Sequence, residues 1–402
     1  MLQIKENELN DILEKRVSIS TDVERRVLKI INDVKKKGDY GLRLWTKKLD
    51  GADIQDFSVS ENEIKRCLLE IPDTDRKMIK TVITRVEKYH RKQFINQFSI
   101  KEPGIKIDFK VKPVEKVGIY IPAGRSPLVS TVIMTAVPAK VAGVKEIIAC
   151  SPPSYFGTIH PYIIATLAML EIKKIFKVGG SQAIAAMAFG TESIPKVNII
   201  AGPGNIFVNT AKKLLTGTVG IDLLAGPSEL VVLMDNTANP DWVEADLKSQ
   251  QEHRDGFILM VSTDELLAKK IAKKIKTGYW IKVESIEKGV NIVNKIAPEH
   301  VQVICKNARK IAEKIIAGAI FIGNYTPCAL GDYIAGPSHT LPTCSSACFD
   351  SGLSVFNFLR TFATIEANKR FFYKNGIIAE RIAEIENLVH HKKSLKERRV
   401  FS

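Results

Sequence analysis

Val117-Gly118-Ile119-Tyr120-Ile121-Pro122 is a short apolar run that stops at a proline. Such a run reads as a buried strand entering a turn. After Ser126-Pro127-Leu128 the pattern predicts a helix over 129–142, stopped by Gly143. Val144 through Cys150 reads as the next strand, closed by Ser151-Pro152-Pro153. A helix over 159–170, a strand at Ile175-Phe176-Lys177-Val178, a helix from Ser181 to Phe189 and a strand at Val197-Asn198-Ile199-Ile200 continue the alternation. Strands alternating with helices of about 10–15 residues predict βαβ units and a parallel sheet.

Downstream the alternation resumes. Strands are expected at 230–234, 257–261, 301–304 and 319–322, with helices at 240–252, 263–276, 285–295 and 307–316. Gly318 suits the left-handed position that ends the last of these helices. Upstream, residues 20–48 read as an amphipathic helix pair broken around Gly38-Asp39-Tyr40-Gly41, and 61–92 as helix interrupted by Pro72. The end of the chain predicts one helix over 376–399. Its apolar stripe of Ile378, Ile382, Ile385 and Leu388 must be covered by something.

With 402 residues and 45% hydrophobic content, the chain is long enough for two or more domains, and its composition excludes fibrous and disordered classes. The net charge of +15 favours anionic ligands. The basic residues lack the aromatic interleaving of a base-stacking surface, so no nucleic-acid partner is expected. No run reaches the 18 or more apolar residues of a membrane span, and the first residues lack an apolar signal core. The expected location is the cytoplasm. Cys344 and Cys348, with Cys328 nearby, lack a second pair and read as reduced thiols rather than a zinc–thiolate centre.

Several segments carry chemical content. Gly179-Gly180-Ser181-Gln182 and Gly202-Pro203-Gly204-Asn205 each sit between strand and helix, where glycine permits close approach and a helix start attracts phosphate. Neither is G-x-G-x-x-G, so each reads equally well as a plain turn. Gly226-Pro227-Ser228-Glu229 is a third such turn. Gln250 and His253 share a helix face, and both can meet a divalent metal; the plain alternative is a solvated helix end. Glu299 and His300 are adjacent titratable groups, one able to serve as a base and the other as an orienting or second base. Asp332 and His339 lie in a long glycine-containing loop, where sites gather or side chains merely face water. Glu386 and His390 are four apart on the expected last helix, with His391 one position round. Five of the seven histidines follow position 250, which ties these weak signals together.

Taken in order, the stretches Val117–Met134, Val178–Val197, Gly202–Asn205, Ala225–Glu229, Ser249–His253, Pro298–His300, Gly331–Thr343 and Glu386–His391 closely resemble the L-histidinol dehydrogenase family. The resemblance spans essentially the whole chain. It implies an α/β fold of two Rossmann-like parallel-sheet domains with a non-standard dinucleotide motif and helical N- and C-terminal extensions. The implied division is an extension over 1–19, a discontinuous domain of 20–116 plus 229–352 carrying much of a zinc site, an NAD-binding domain over 117–228, and a helical tail over 353–402 packing on a partner subunit.

The implied activity is oxidation of L-histidinol to L-histidine through L-histidinal, with two NAD, at the end of histidine biosynthesis. The resemblance places one Zn²⁺ per subunit on Gln250, His253, Asp332 and His391. It makes Glu299 and His300 the catalytic acid/base pair and Ser228 and Glu386 substrate contacts. The same zinc-site and Glu299 side chains also face substrate. Tyr120, Gln182 and Asn205 are implied to hold NAD. The tail with Glu386 and His391 is implied to complete the site of the other subunit in a homodimer.

His300 suits removal of the hydroxyl proton in the first step, and Glu299 suits activation of water in the second. A relative that oxidises another small hydroxy compound, such as a sulfonated diol, is the alternative within this fold. A basic nucleic-acid-binding protein is the alternative outside it. The chain departs from the family at Ala123, Ala297, Cys328, Ser338 and Asn357, and in a shortened stretch between His253 and Glu299. An alanine at 123 is strained only if that position needs positive φ.

Overall fold

A computed structural model describes residues 1–14, 20–123, 126–253 and 256–400. Gly124 and Arg125 of the motif quoted above, and the last part of the 1–19 extension, lie outside the described residues. The chain forms two compact units, Met1–Gln93 with Val114–Phe358, and Phe94–Pro113 with Leu359–Ser402.

The larger unit holds two all-parallel sheets. The first runs Lys174–Lys177, Glu146–Ser151, Lys116–Tyr120, Ile199–Ala201, Gly220–Ile221 in spatial order. Chain order reverses beside Lys116–Tyr120, which creates the crevice where doubly wound sheets bind ligands at their carboxyl ends. The second runs Leu2–Gln3, Tyr279–Lys282, Phe257–Ser262, Glu229–Met234, His300–Ile304, Ala319–Ile322. Its inner strands Glu229–Met234 and Phe257–Ser262 are buried along their whole length, as expected of strands covered on both faces. The shortened stretch after His253 still supplies strand Tyr279–Lys282, and Leu2–Gln3 pairs with its outer edge.

Helix ends follow local chemistry. Helix Val129–Ala142 stops at Gly143, whose φ of 87° only glycine adopts freely. Helix Thr21–Asp50 breaks its helical geometry at Gly38, the expected position. Pro72 separates helices Glu61–Glu70 and Asp73–His90.

The structure corrects the expected division. Residues 20–90 do not join the second sheet. Val27, Ile31 and Val34 pack with Tyr120, Ile184 and Ile200 on one face of the first sheet, while Ile64, Ile79 and Val86 share the core of Ile119 and Ile133. Their apolar stripes find the nearer sheet. The tail is not purely helical either. Leu359–Ala367 is a strand that pairs antiparallel with Ile105–Pro113, and Phe98–Glu102 pairs on the other side. The single helix expected over 376–399 is two, Lys369–Ile385 and Val389–Val400, broken where Asn387 takes φ 57°. Glu386 therefore closes the first helix and does not share a helical face with His390. Gly318 does not cap a helix, because helix Ala308–Ala312 ends earlier. A Cβ at 318 would lie 2.7 Å from the Glu299 carbonyl oxygen, so glycine there permits close backbone approach.

Of the two departures that could strain the backbone, one does. Ala123 is not among the residues with positive φ, whereas Ala297 sits at φ 42°, ψ 64° at the end of helix Ile286–Ile296. An alanine in that region costs about 1–2 kcal/mol, and glycine returns part of it in chain entropy. Ala297→Gly should therefore raise stability by about 0.5–1 kcal/mol, read as a higher urea midpoint without loss of activity. An unchanged or lower midpoint would show that Ala297 is unstrained.

Candidate active site

The amino ends of the second sheet bring Glu299 and His300 together. Glu299 precedes strand His300–Ile304, beside Ser228 and the start of strand Glu229–Met234. Two buried glutamates interlock there. Glu299 Oε2 accepts from the Ser228 hydroxyl at 2.7 Å and from the Glu229 N–H at 2.8 Å. The Glu299 N–H in turn donates to Glu229 Oε2 at 3.0 Å, and the Cys344 N–H donates to Glu229 Oε1 at 2.7 Å. Glu299 Oε1 takes no hydrogen bond among the described residues.

The His300 ring is oriented by the same elements. Its Nδ1 lies 3.0 Å from the Glu229 carbonyl oxygen and 3.3 Å from Glu299 Oε2. Both are acceptors, so Nδ1 carries the proton and Nε2 is left as the basic nitrogen. Nε2 lies 3.9 Å from Asp332 Oδ1. Burial pulls the imidazole's pKa down, but the Glu299 and Asp332 carboxylates outweigh it and hold it above the ordinary value.

His300 and Asp332 line a pocket of about 570 Å³ with Arg85, Tyr89, Phe321 and His339. Asp332 is carried by the short helix Cys328–Tyr333, and its carbonyl faces His339 Nδ1 at 3.1 Å. Burial lowers the His339 pKa, against the pull of Asp332 and Glu299. Thr131, in the first turn of helix Val129–Ala142, reaches His339 Nε2 at 3.4 Å and so links this pocket to the first sheet.

Gln250 ends helix Pro240–Gln250. It is buried, and its Nε2 has no partner among the described residues. His253 is exposed in the turn that follows. That turn leads into strand Phe257–Ser262, whose first N–H donates to the Ser228 carbonyl at 2.9 Å. Among the described residues no group of three or more His, Cys, Asp or Glu comes together as a metal site. Glu386 and His391 lie exposed in the smaller unit.

Tyr120, Gln182 and Asn205 line one cavity of about 1000 Å³ over the carboxyl ends of the first sheet. The Tyr120 hydroxyl accepts from the Gly180 N–H at 3.1 Å, and burial pushes that phenol's pKa well up. Gln182 is fully buried; its Nε2 donates to Asp50 Oδ2 at 3.1 Å and its Oε1 has no partner among the described residues. The Asn205 side chain caps helix Ile206–Leu215 by accepting from the N–H groups of Phe207 and Val208. The turn before it is anchored from below. Gly202 donates to Asp222 Oδ2 at 2.7 Å, and Lys212 donates to the Gly202 carbonyl at 3.1 Å and to Asp222 Oδ1, with both charged side chains fully buried.

Sequence reasoning missed Glu229 as the group that positions the pair; Ser228, expected on substrate, donates its hydroxyl to Glu299. The turn Gly226-Pro227-Ser228-Glu229 was the available signal. It also missed Asp50 and the basic residues Arg26, Lys29 and Lys48, which line the cavity from helix Thr21–Asp50 and carry no local motif.

Comparison with known proteins places these features in a family. The profile described as histidinol dehydrogenase matches residues 13–399. The chain is 38% identical over 398 residues to the histidinol dehydrogenase of Oceanobacillus iheyensis, covering 94% of this chain and 93% of that protein. It is 40% identical over 414 residues to that of Clostridium acetobutylicum, covering 98% and 96%. The crystal structure of histidinol dehydrogenase from Elizabethkingia anophelis superposes with a TM-score of 0.91 at 35% identity, covering 99% of this chain and 97% of that one. The chain is an NAD-dependent oxidoreductase and belongs to the histidinol dehydrogenase family.

Proposed function

We propose that this enzyme oxidises L-histidinol to L-histidine through L-histidinal, reducing two NAD at one site. The observation that supports this reading most directly is the paired geometry of Glu299 and His300, one base for each oxidation. His300 Nε2, its other nitrogen held by Glu229 and Glu299, would take the hydroxyl proton in the first oxidation, and Glu299 Oε1 would take a proton from the water that adds to the aldehyde carbon in the second. NAD, when bound, would supply the hydride acceptor for both. Tyr120, Gln182 and Asn205 hold NAD in the large cavity.

The residues fit a zinc ion. Gln250, His253, Asp332 and His391 supply imidazole nitrogens and amide and carboxylate oxygens, which suit this borderline metal, and the buried Gln250 side chain forms no hydrogen bond through its Nε2 that would fix its amide otherwise. Zinc, when bound, orients the substrate and polarises its oxygen. We assign the fourth ligand to His391 of the partner subunit, with Glu386 beside it on substrate, in a homodimer with composite sites. The stripe Ile378, Ile382, Ile385 and Leu388, exposed in the single chain, gives that dimer an apolar face to cover. The protein is expected to act in the cytoplasm.

Limiting L-histidinol should yield two NADH per molecule, with L-histidine as product, and a zinc chelator should abolish turnover. One NADH with accumulating aldehyde would remove the four-electron reading. Full activity after metal stripping would remove the zinc.

A further inference from the structure

The large cavity over the first sheet contains a carboxylate that the reaction does not use. Arg26, Lys29 and Lys48 make its lining basic, as a dinucleotide's phosphates require, yet Asp50 stands among them. A carboxylate in an anion-binding cavity weakens binding unless it accepts hydrogen bonds from the ligand. Gln182 Nε2 holds Asp50 Oδ2 at 3.1 Å, and Oδ1 has no hydrogen-bond partner among the described residues. Gln182 Oε1 beside it is buried and unsatisfied. Asp50 Oδ1 is therefore the acceptor that this corner presents to whatever occupies the cavity. Burial pushes Asp50 up to about 6, against the Gln182 hydrogen bond, so it remains mostly ionised at neutral pH.

The corner also has a place along the ligand. On one side the cavity is lined by Ser126 and Leu128, which lead directly into helix Val129–Ala142; that helix packs on the Ile119 face of the first sheet and carries Thr131, which contacts His339 in the catalytic pocket. Hydride transfer needs the nicotinamide on that side. Asp50 and Gln182 lie on helices Thr21–Asp50 and Gly180–Phe189, which pack on the opposite, Tyr120 face of that sheet, so the adenosine half would rest there.

We propose that Asp50, positioned by Gln182, accepts the hydroxyls of the cofactor's adenosine ribose and makes the enzyme select NAD over NADP. A 2′-phosphate would remove one donor and set an anion against the carboxylate, whereas carboxylate recognition of a ribose diol is a general solution for NAD. The inference rests on the large cavity being the dinucleotide site.

Quenching of Trp45, which lines the cavity, reports binding directly on titration with NAD and with NADP. Asp50→Asn should weaken NAD about tenfold or more, in line with loss of hydrogen bonds to a charged acceptor. It should strengthen NADP relative to NAD by at least as much, because the anion that repels the added phosphate is gone from a cavity lined by three basic side chains. The KM for histidinol should stay unchanged, which separates this effect from misfolding. Equal weakening of both nucleotides, no change in either, or a wild-type enzyme without preference would overturn the proposal. Ser154→Trp, at the exposed rim of the same cavity and away from Asp50, tests the underlying reading. If S154W impairs NAD binding and D50N does not, the cavity is right and Asp50 is wrong; if neither does, the cavity itself is misassigned. Should D50N be too unstable to assay, Asp50→Glu must weaken NAD while keeping the preference over NADP; unchanged NAD binding would overturn the assignment.

Discussion

His300→Asn should lower histidinol turnover by about 10²–10⁴-fold, the usual contribution of a positioned base. The amide can replace the Nδ1 contacts to Glu229 and Glu299 but offers no basic nitrogen where Nε2 stood. Glu299→Gln should fall hardest on oxidation of supplied histidinal, which needs activated water. An E299Q enzyme that oxidises the aldehyde at the unmodified rate would exclude Glu299 from that role. The same His300 variant tests the dimer. H300N and H391A should each be nearly inactive alone. After reversible dissociation and mixing, random pairing makes half the dimers mixed, each with one intact composite site, so activity should recover to about one quarter of wild type. Exchange demonstrated with differently tagged chains, but without recovery, would place His391 in its own subunit's site or in none.

Lys212→Met should destabilise the larger unit by about 3–5 kcal/mol, because it leaves Asp222 as a buried charge with no counter-ion. Asp222 would keep its bond from the Gly202 N–H, which is too little for an ionised carboxylate without solvent. Lys212→Met/Asp222→Asn should recover part of the loss, since both charges leave together. Urea midpoints for the two variants provide the measurement. A K212M protein as stable as the parent would show that the pair contributes little. The consequence reaches the ligand side. Gly202 has φ 124° and a Cβ there would lie 2.1 Å from the Tyr120 carbonyl oxygen, so only glycine fits this turn, and the buried pair holds both its N–H and its carbonyl.

Much of this architecture was legible from hydrophobic pattern and punctuation. Gly143, Gly38 and Pro72 end or interrupt helices where expected, because their backbone restrictions act locally. The antiparallel strands were missed although Ile105-Lys106-Ile107-Asp108-Phe109-Lys110-Val111 alternates cleanly with period two. Its partner, Leu359–Ala367, is remote in sequence, and pairing at that distance leaves no mark on either segment. The same limit explains the misplaced helices at 20–90, since an apolar stripe does not say which sheet it will cover. Glu299 and His300 drew notice as neighbours, but side chains of adjacent strand residues point apart. They meet because Glu299 lies just outside the strand and Glu229 grips both, an arrangement made by residues about 70 positions away. Asp50 left no trace at all; it ends a helix among lysines and acquires meaning only beside Gln182.

The two halves of the active region grow from opposite strand ends. The large cavity caps the carboxyl ends of one sheet, and Glu299 and His300 stand at the amino ends of the other. Their supporting cores are separate clusters with no shared buried residue. Selection can therefore reshape one half without disturbing the packing of the other. Substitutions around Ser228 and His300 leave the core behind the large cavity intact, and the reverse holds for helix Thr21–Asp50. The burden of keeping donor and acceptor in register then falls on places where the halves touch, such as Thr131 with His339 and the wall that Arg85 and Tyr89 contribute to the His300 pocket. Those contacts are where a divergent lineage has least freedom, although none of Thr131, His339, Arg85 and Tyr89 need take part in bond making.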